Sequence, residues 1–157
     1  GYSDGFSPRL IAMTAAAGSA ALLIAALGFQ ALGYAPCELC ILQRWPHLAA
    51  VLIGAVALKV KTPALPVLGA LAALTSAAIG AYHFGVEQHW WEGLAQCSVN
   101  TLAGVSASDL LNTDINVGAP AACDKVAWSF LGLSMPGWNV LVSSFFAGVW
   151  LAAARKA

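Results

Sequence analysis

Four stretches of this chain read as membrane spans: about residues 10–35, 41–58, 64–86 and 137–154. Crossing the hydrocarbon core takes roughly 20 predominantly apolar residues, with a range of about 17–25. In lipid every backbone N–H and C=O must be satisfied within its own segment, so each run is expected to be a helix. The fold class that follows is an all-α integral membrane protein, a four-helix transmembrane bundle forming a single domain over residues 1–157. Composition agrees. The chain is 60% hydrophobic and 9% charged, with a mean hydropathy of +0.77, whereas a soluble domain carries about 25% charged residues. Seven basic and seven acidic residues cancel, which leaves no cationic face for nucleic acid. The first run exceeds a signal-peptide core of roughly 7–15 residues and is expected to persist as a helix.

Charge sets the orientation. Arg9, Lys59, Lys61, Arg155 and Lys156 all fall on one side of a four-helix topology, and Glu38, Glu87, Glu92, Asp109, Asp114 and Asp124 fall on the other. The positive-inside rule makes the basic side cytoplasmic, with both termini there. Two outer loops follow, about residues 36–40 and 87–136. Leu102, Val105, Leu110 and Leu111 of the second are candidates for one face of a short interfacial helix.

All four cysteines fall in these outer loops: Cys37 and Cys40 in the first, Cys97 and Cys123 in the second. An extracytoplasmic location favours disulfides, and four cysteines permit three pairings. One reading is a non-enzymatic tetraspan protein with two structural loop disulfides. The Cys37-Glu38-Leu39-Cys40 spacing argues against it. A two-residue spacer closes a tiny ring that constrains the unfolded chain little, while keeping two thiols within reach for redox exchange. Zinc is disfavoured because the second pair forms no CxxC and no HxxxH accompanies it.

Arg44 sits four residues beyond Cys40, on the same helix face and about 6 Å deeper. The positive end of the helix dipole and a fixed cation both favour a Cys40 thiolate. The same guanidinium can receive charge developing on a carbonyl oxygen. A dithiol at the bilayer edge beside such a donor suits a lipid-soluble quinone as electron acceptor. A snorkelling anchor is the plainer reading of Arg44. His83 and His47 are candidate quinone or proton ligands. Trp45, Trp90, Trp91, Trp128 and Trp138 read as an aromatic belt. Gly18, Ser19, Gly54, Gly69, Ser76 and Gly80 read as close-packing positions.

Taken together, Pro36-Cys37-x-x-Cys40 with Arg44, the widely spaced Cys97 and Cys123, and the tail Trp128, Phe130-Leu131-Gly132-Leu133, Met135-Pro136, Trp138 resemble the bacterial disulfide bond formation protein B (DsbB) family of quinone-dependent inner-membrane thiol oxidases. Vitamin K epoxide reductase-like enzymes fit less well, since their loop cysteines precede the CxxC. The resemblance implies redox-active disulfides Cys37–Cys40 and Cys97–Cys123, and a periplasmic thioredoxin-fold oxidase (DsbA-like) as partner. It further implies that Cys97 forms the mixed disulfide with that partner, Cys123 exchanges with Cys37, and Cys40 faces ubiquinone or menaquinone beside Arg44.

Overall fold

The computed structural model describes residues 7–34, 37–93, 126 and 128–156. Pro36, Cys97, Cys123 and the expected interfacial helix lie outside the described residues. The elements are α1 (Pro8–Ala31), α2 (Glu38–Ala57), α3 (Ala64–Glu87), a short hairpin of β1 (Ser129–Phe130) and β2 (Leu133–Ser134), and α4 (Met135–Lys156). All four helices are long and apolar enough to cross a membrane. Their 24, 20, 24 and 22 residues span about 30–36 Å at 1.5 Å per residue.

The helices pack in a closed ring: α1 on α2, α2 on α3, α3 on α4, and α4 back on α1. Lipid tails are as apolar as leucine, so apolarity alone does not pull membrane helices together, and close backbone approach matters more. The core is accordingly built of alanine: Ala12, Ala15, Ala16, Ala50, Ala70, Ala73, Ala147 and Ala153 surround the fully buried Trp150. Gly69 makes room for the Trp150 indole, Gly18 for the Phe146 ring and Gly54 for Ala16, so a Cβ at any of the three would collide with its neighbour. The large side chains point outward, with Ile24 69% and Phe145 67% exposed. That is the inverse of a soluble bundle.

Both helix ends near the first cysteine pair stop on the same device. In α1 the Tyr34 N–H bonds the Phe29 carbonyl and the Gly33 N–H bonds the Gln30 carbonyl. Gly33 supplies the left-handed turn at φ +106°, and Tyr34 packs edge-on against Phe29 at 5.5 Å. This is a Schellman motif with its hydrophobic contact. It ends α1 at Ala31, four residues short of the end that hydropathy alone predicts, because Gly33 turns the chain out of the helix although Leu32 to Tyr34 are apolar. In α3 the Trp90 N–H bonds the Gly85 carbonyl and His89 the Val86 carbonyl. Here His89 takes the left-handed position at φ 61°. The hairpin before α4 turns through Leu131 and Gly132, both at positive φ, as a two-residue type I′ connection requires.

Candidate functional site

Helix α2 begins at the first cysteine. Cys37 is its N-cap, and Cys37 Sγ accepts the Cys40 backbone N–H at 3.2 Å. A cap and the third residue of a helix lie close in space, so Cys37 Sγ donates to Cys40 Sγ at 2.9 Å. The hydrogen bond to Cys40 and then burial push the Cys37 thiol upward from its ordinary range. Cys37 is therefore the protonated donor of the pair and Cys40 the acceptor.

The two sulfurs meet different surroundings. Cys40 lines a cavity of about 260 Å³ between α1, α2 and α4, together with Phe29, Arg44, His47, Trp138 and Asn139. Cys37 does not line this cavity and packs toward α3 with Leu39 and Val86. There its Sγ is 3.6 Å from His83 Nε2. His83 Nε2 is in turn 4.0 Å from Glu87 Oε2, and Glu87 accepts a hydrogen bond from Ser134 Oγ. His83, Glu87 and Ser134 are all buried.

A continuous chain of side-chain hydrogen bonds joins the two regions. Gln43 Nε2 donates to the Leu39 carbonyl and lies 2.9 Å from His83 Nδ1. Asn139 Nδ2 donates to Gln43 Oε1 and to the Ser76 carbonyl. Asn139 Oδ1 accepts from Ser143 Oγ and lies 2.9 Å from His47 Nε2. His47 Nδ1 is 3.1 Å from Ser19 Oγ. Two backbone carbonyls fix every direction in this chain. A carbonyl only accepts, so the Gln43 and Asn139 amide nitrogens are its donors, and their oxygens face the other way. His83 Nδ1 must then accept from Gln43, which puts the His83 hydrogen on Nε2. His47 Nε2 must donate to Asn139, which leaves its Nδ1 to accept from Ser19.

That tautomer bears on metal binding. Cys37 Sγ, Cys40 Sγ and His83 Nε2 lie within 4.8 Å of one another, close enough to surround an ion. A ligating nitrogen must present a lone pair, and Nε2 carries its hydrogen here. The cluster is built as a hydrogen-bonded one.

Among the expected site residues, Cys40, Arg44 and His47 share the cavity wall. Arg44 Nη1 is held by Gln30 Oε1 at 2.9 Å. His83 does not line that wall; it stands on the α3 side of α2, against Cys37. Trp45, Trp90 and Trp91 are exposed as a belt requires, whereas Trp128 and Trp138 help wall the cavity. Ser19 and Ser76, expected as spacers, are members of the buried polar chain. Gln43, Asn139, Ser143 and Glu87 carry roles that the sequence reading passed over. A signal existed: Gln43 and His47, Asn139 and Ser143, and His83 and Glu87 are each polar pairs four residues apart within apolar runs, which places each pair on one helix face.

A dithiol at a helix start, Cys37 buried and Cys40 half-buried, is set between a polar cluster and a cavity in a four-helix bundle of membrane-spanning length. The profile described as "Disulfide bond formation protein DsbB" matches residues 8–153, and the chain belongs to that family. A relative from Methylococcus capsulatus named disulfide bond formation protein B is 36% identical over 133 residues, covering 78% of this chain and 79% of its own. One of the same name from Saccharophagus degradans is 33% identical over 153 residues, 92% of each chain. A third, from Stutzerimonas stutzeri, is 32% identical over 145 residues, 86% of this chain and 87% of its own. No solved structure matches the chain.

Proposed function

We propose that this protein is a membrane thiol:quinone oxidoreductase that reoxidises a periplasmic thioredoxin-fold dithiol oxidase of the DsbA kind and passes the electrons to the quinone pool. The observation that carries this reading is the cavity wall, where Cys40, Arg44 and His47 stand together with Gln43 and Asn139 on a mainly apolar surface. A quinone head group fits its chemistry. Phe29, Leu22, Val142 and Trp138 offer flat apolar contact, and Arg44 offers donors to an oxygen gaining charge. The volume of about 260 Å³ is near the lower end of small-molecule sites, roughly 300–1,000 Å³, which suits a ring whose lipid tail stays outside.

A bound quinone supplies the acceptor for the two electrons and two protons released when a dithiol closes to a disulfide, and leaves as the quinol. The chain's residues do the rest. A thiolate of the reduced partner opens Cys97–Cys123 at Cys97 as a mixed disulfide and frees Cys123, which exchanges with Cys37, while the partner's second thiol displaces Cys97 and leaves the partner oxidised. Attack on Cys37 releases Cys40 as the sulfur beside the cavity. Gln30 holds Arg44 at the depth where it faces both that sulfur and the acceptor. The buried polar chain keeps His47 Nε2–H and the Asn139 amide oriented along the same wall.

The test uses purified protein in nanodiscs, a reduced thioredoxin-fold dithiol protein and either ubiquinone or menaquinone, with quinone reduction followed optically. Turnover that disappears on Cys40→Ser and on Cys97→Ser is expected. Absence of quinone reduction in a folded, fully oxidised protein would leave the alternative, a tetraspan protein with two structural disulfides.

A further inference from the structure

Glu87 breaks two local rules at once. It is a buried carboxylate, 7% exposed, and it is the last residue of α3, where the negative end of the helix dipole opposes an anion. Burial of an unpaired charge is costly in a bundle core. Residues that violate local preferences in this way mark functional positions more often than structural ones. Only Ser134 Oγ donates to Glu87 in the described hydrogen bonds, and His83 Nε2 lies 4.0 Å from Oε2.

We propose that Glu87 is a positioning residue that acts on Cys37 through His83, its charge state deciding whether the Nε2 hydrogen is drawn toward the carboxylate or donated to the Cys37 sulfur. The inference rests on the oxidase reading for its purpose, since Cys37 must pass between thiol, thiolate and disulfide in each cycle. His83 Nε2–H stands between two acceptors, Cys37 Sγ at 3.6 Å and Glu87 Oε2 at 4.0 Å. Its other nitrogen accepts from Gln43, so His83 carries no proton between the two groups and has one N–H to share. An ionised Glu87 draws that hydrogen toward Oε2 and opposes a second negative charge on Cys37. A neutral Glu87 leaves Nε2–H to donate to the Cys37 thiolate, which is the nucleophile needed to re-form the Cys37–Cys40 bond.

Among the described residues, other charged groups near Cys37 are few. Helix α2 contributes Cys40, Glu38 and Arg44, and α3 contributes His83 and Glu87. Helices α1 and α4 carry their ionisable groups, Arg9, Arg155 and Lys156, at the far end of the bundle.

The experiment titrates Cys37 directly. A full-length protein in nanodiscs with Cys40, Cys97 and Cys123 replaced by serine keeps Cys37 as its one thiol, and ultraviolet thiolate absorption is read against pH with Cys37→Ser as blank. Glu87→Gln retains an acceptor for Ser134 but removes the competing charge, so the Cys37 pKa should fall by about one unit, the size of a neighbouring-charge effect. His83→Ala removes the donor to the thiolate and should raise it by a similar amount. Glu87→Asp should restore the parent titration in part. Opposite signs for Glu87→Gln and His83→Ala support the competition for Nε2–H. Shifts of the same sign, or no shift with Glu87→Gln, overturn it. If Glu87→Gln does not fold, Ser134→Ala should lower the Cys37 pKa by a smaller amount, and an unchanged value there overturns the proposal equally. Neither quinone nor partner enters this titration, so its failure leaves the oxidase reading standing, and loss of quinone reduction says nothing about the contest for Nε2–H.

Discussion

Asn139→Ala removes the residue through which α2, α3 and α4 are joined. Its amide nitrogen donates to Gln43 Oε1 at 2.8 Å, to the Ser76 carbonyl at 3.2 Å and lies 3.0 Å from Ser76 Oγ. Its oxygen meets Ser143 Oγ at 2.8 Å and His47 Nε2 at 2.9 Å. Not every partner is orphaned by truncation. Ser76 Oγ retains the Gln43 carbonyl, and Ser143 Oγ lies 3.2 Å from His47 Nε2 and can take its hydrogen. Gln43 Oε1 has no such substitute among its described contacts. One buried acceptor left unpaired costs about 1–3 kcal/mol, and side-chain hydrogen bonds between membrane helices average about 0.6 kcal/mol each. The expected loss is therefore about 2–3 kcal/mol. Reversible unfolding in mixed micelles of increasing SDS content measures it, with lipid-facing Phe145→Ala as a control expected within about 0.5 kcal/mol of the parent. An Asn139→Ala protein as stable as that control would mean that water or a rotated Gln43 satisfies the network. The fixed histidine tautomers would then fall with it.

Three further outcomes are expected. Arg44→Ala should slow quinone reduction by on the order of 10²–10³, the usual effect of removing one electrostatic donor, with Arg44→Lys losing less because it keeps the charge; thiol exchange with the partner, measured by gel shift, should be unaffected. Cys123→Ser should trap a covalent complex with the partner through Cys97, and mass spectrometry finding the link at Cys37 instead would reverse the assigned route. Single cysteines introduced at Lys61 and Asp114 in a cysteine-free chain should react with impermeant reagents from opposite sides of the membrane, and labelling from the same side would refute the charge-based orientation.

Hydropathy made the four helices legible because lipid imposes one requirement on all of them, and that requirement acts over some twenty residues at a time. It could not place the ends. Leu32 to Ala35 are apolar enough to continue α1, yet Gly33 in the left-handed conformation stops it, which is a matter of backbone geometry that polarity does not encode. Met135 and Pro136 begin α4 two residues before the expected start because proline is well placed in a first turn. Within the site, Cys40, Arg44 and His47 were readable together because they share one face of one helix. The polar chain as a whole was not, since Ser19, Gln43, Ser76, His83 and Asn139 come from four different helices, and a polar pair on one helix face does not say which other helix it meets. Their meeting depends on helix rotation, which alanine and glycine packing sets, and a single sequence with such uniform small residues leaves that rotation undetermined.

The spacing of the first cysteine pair acquires a physical reason from the helix start. A thiol at the N-cap and another at the third helical position sit within bonding reach, but their side chains leave the helix toward different neighbours. Cys37 turns to α3, where His83 and Glu87 are buried; Cys40 turns to the cavity beside Arg44. Moving the first thiol one residue into the helix would destroy the cap, since Cys37 Sγ is the group that accepts the Cys40 N–H. Widening the spacer by a residue would carry the second thiol about 100° around the axis and away from the cavity wall. The two thiols thus straddle the helix N-terminus, and the two-residue spacer is the separation that lets them face different neighbours while still closing on each other.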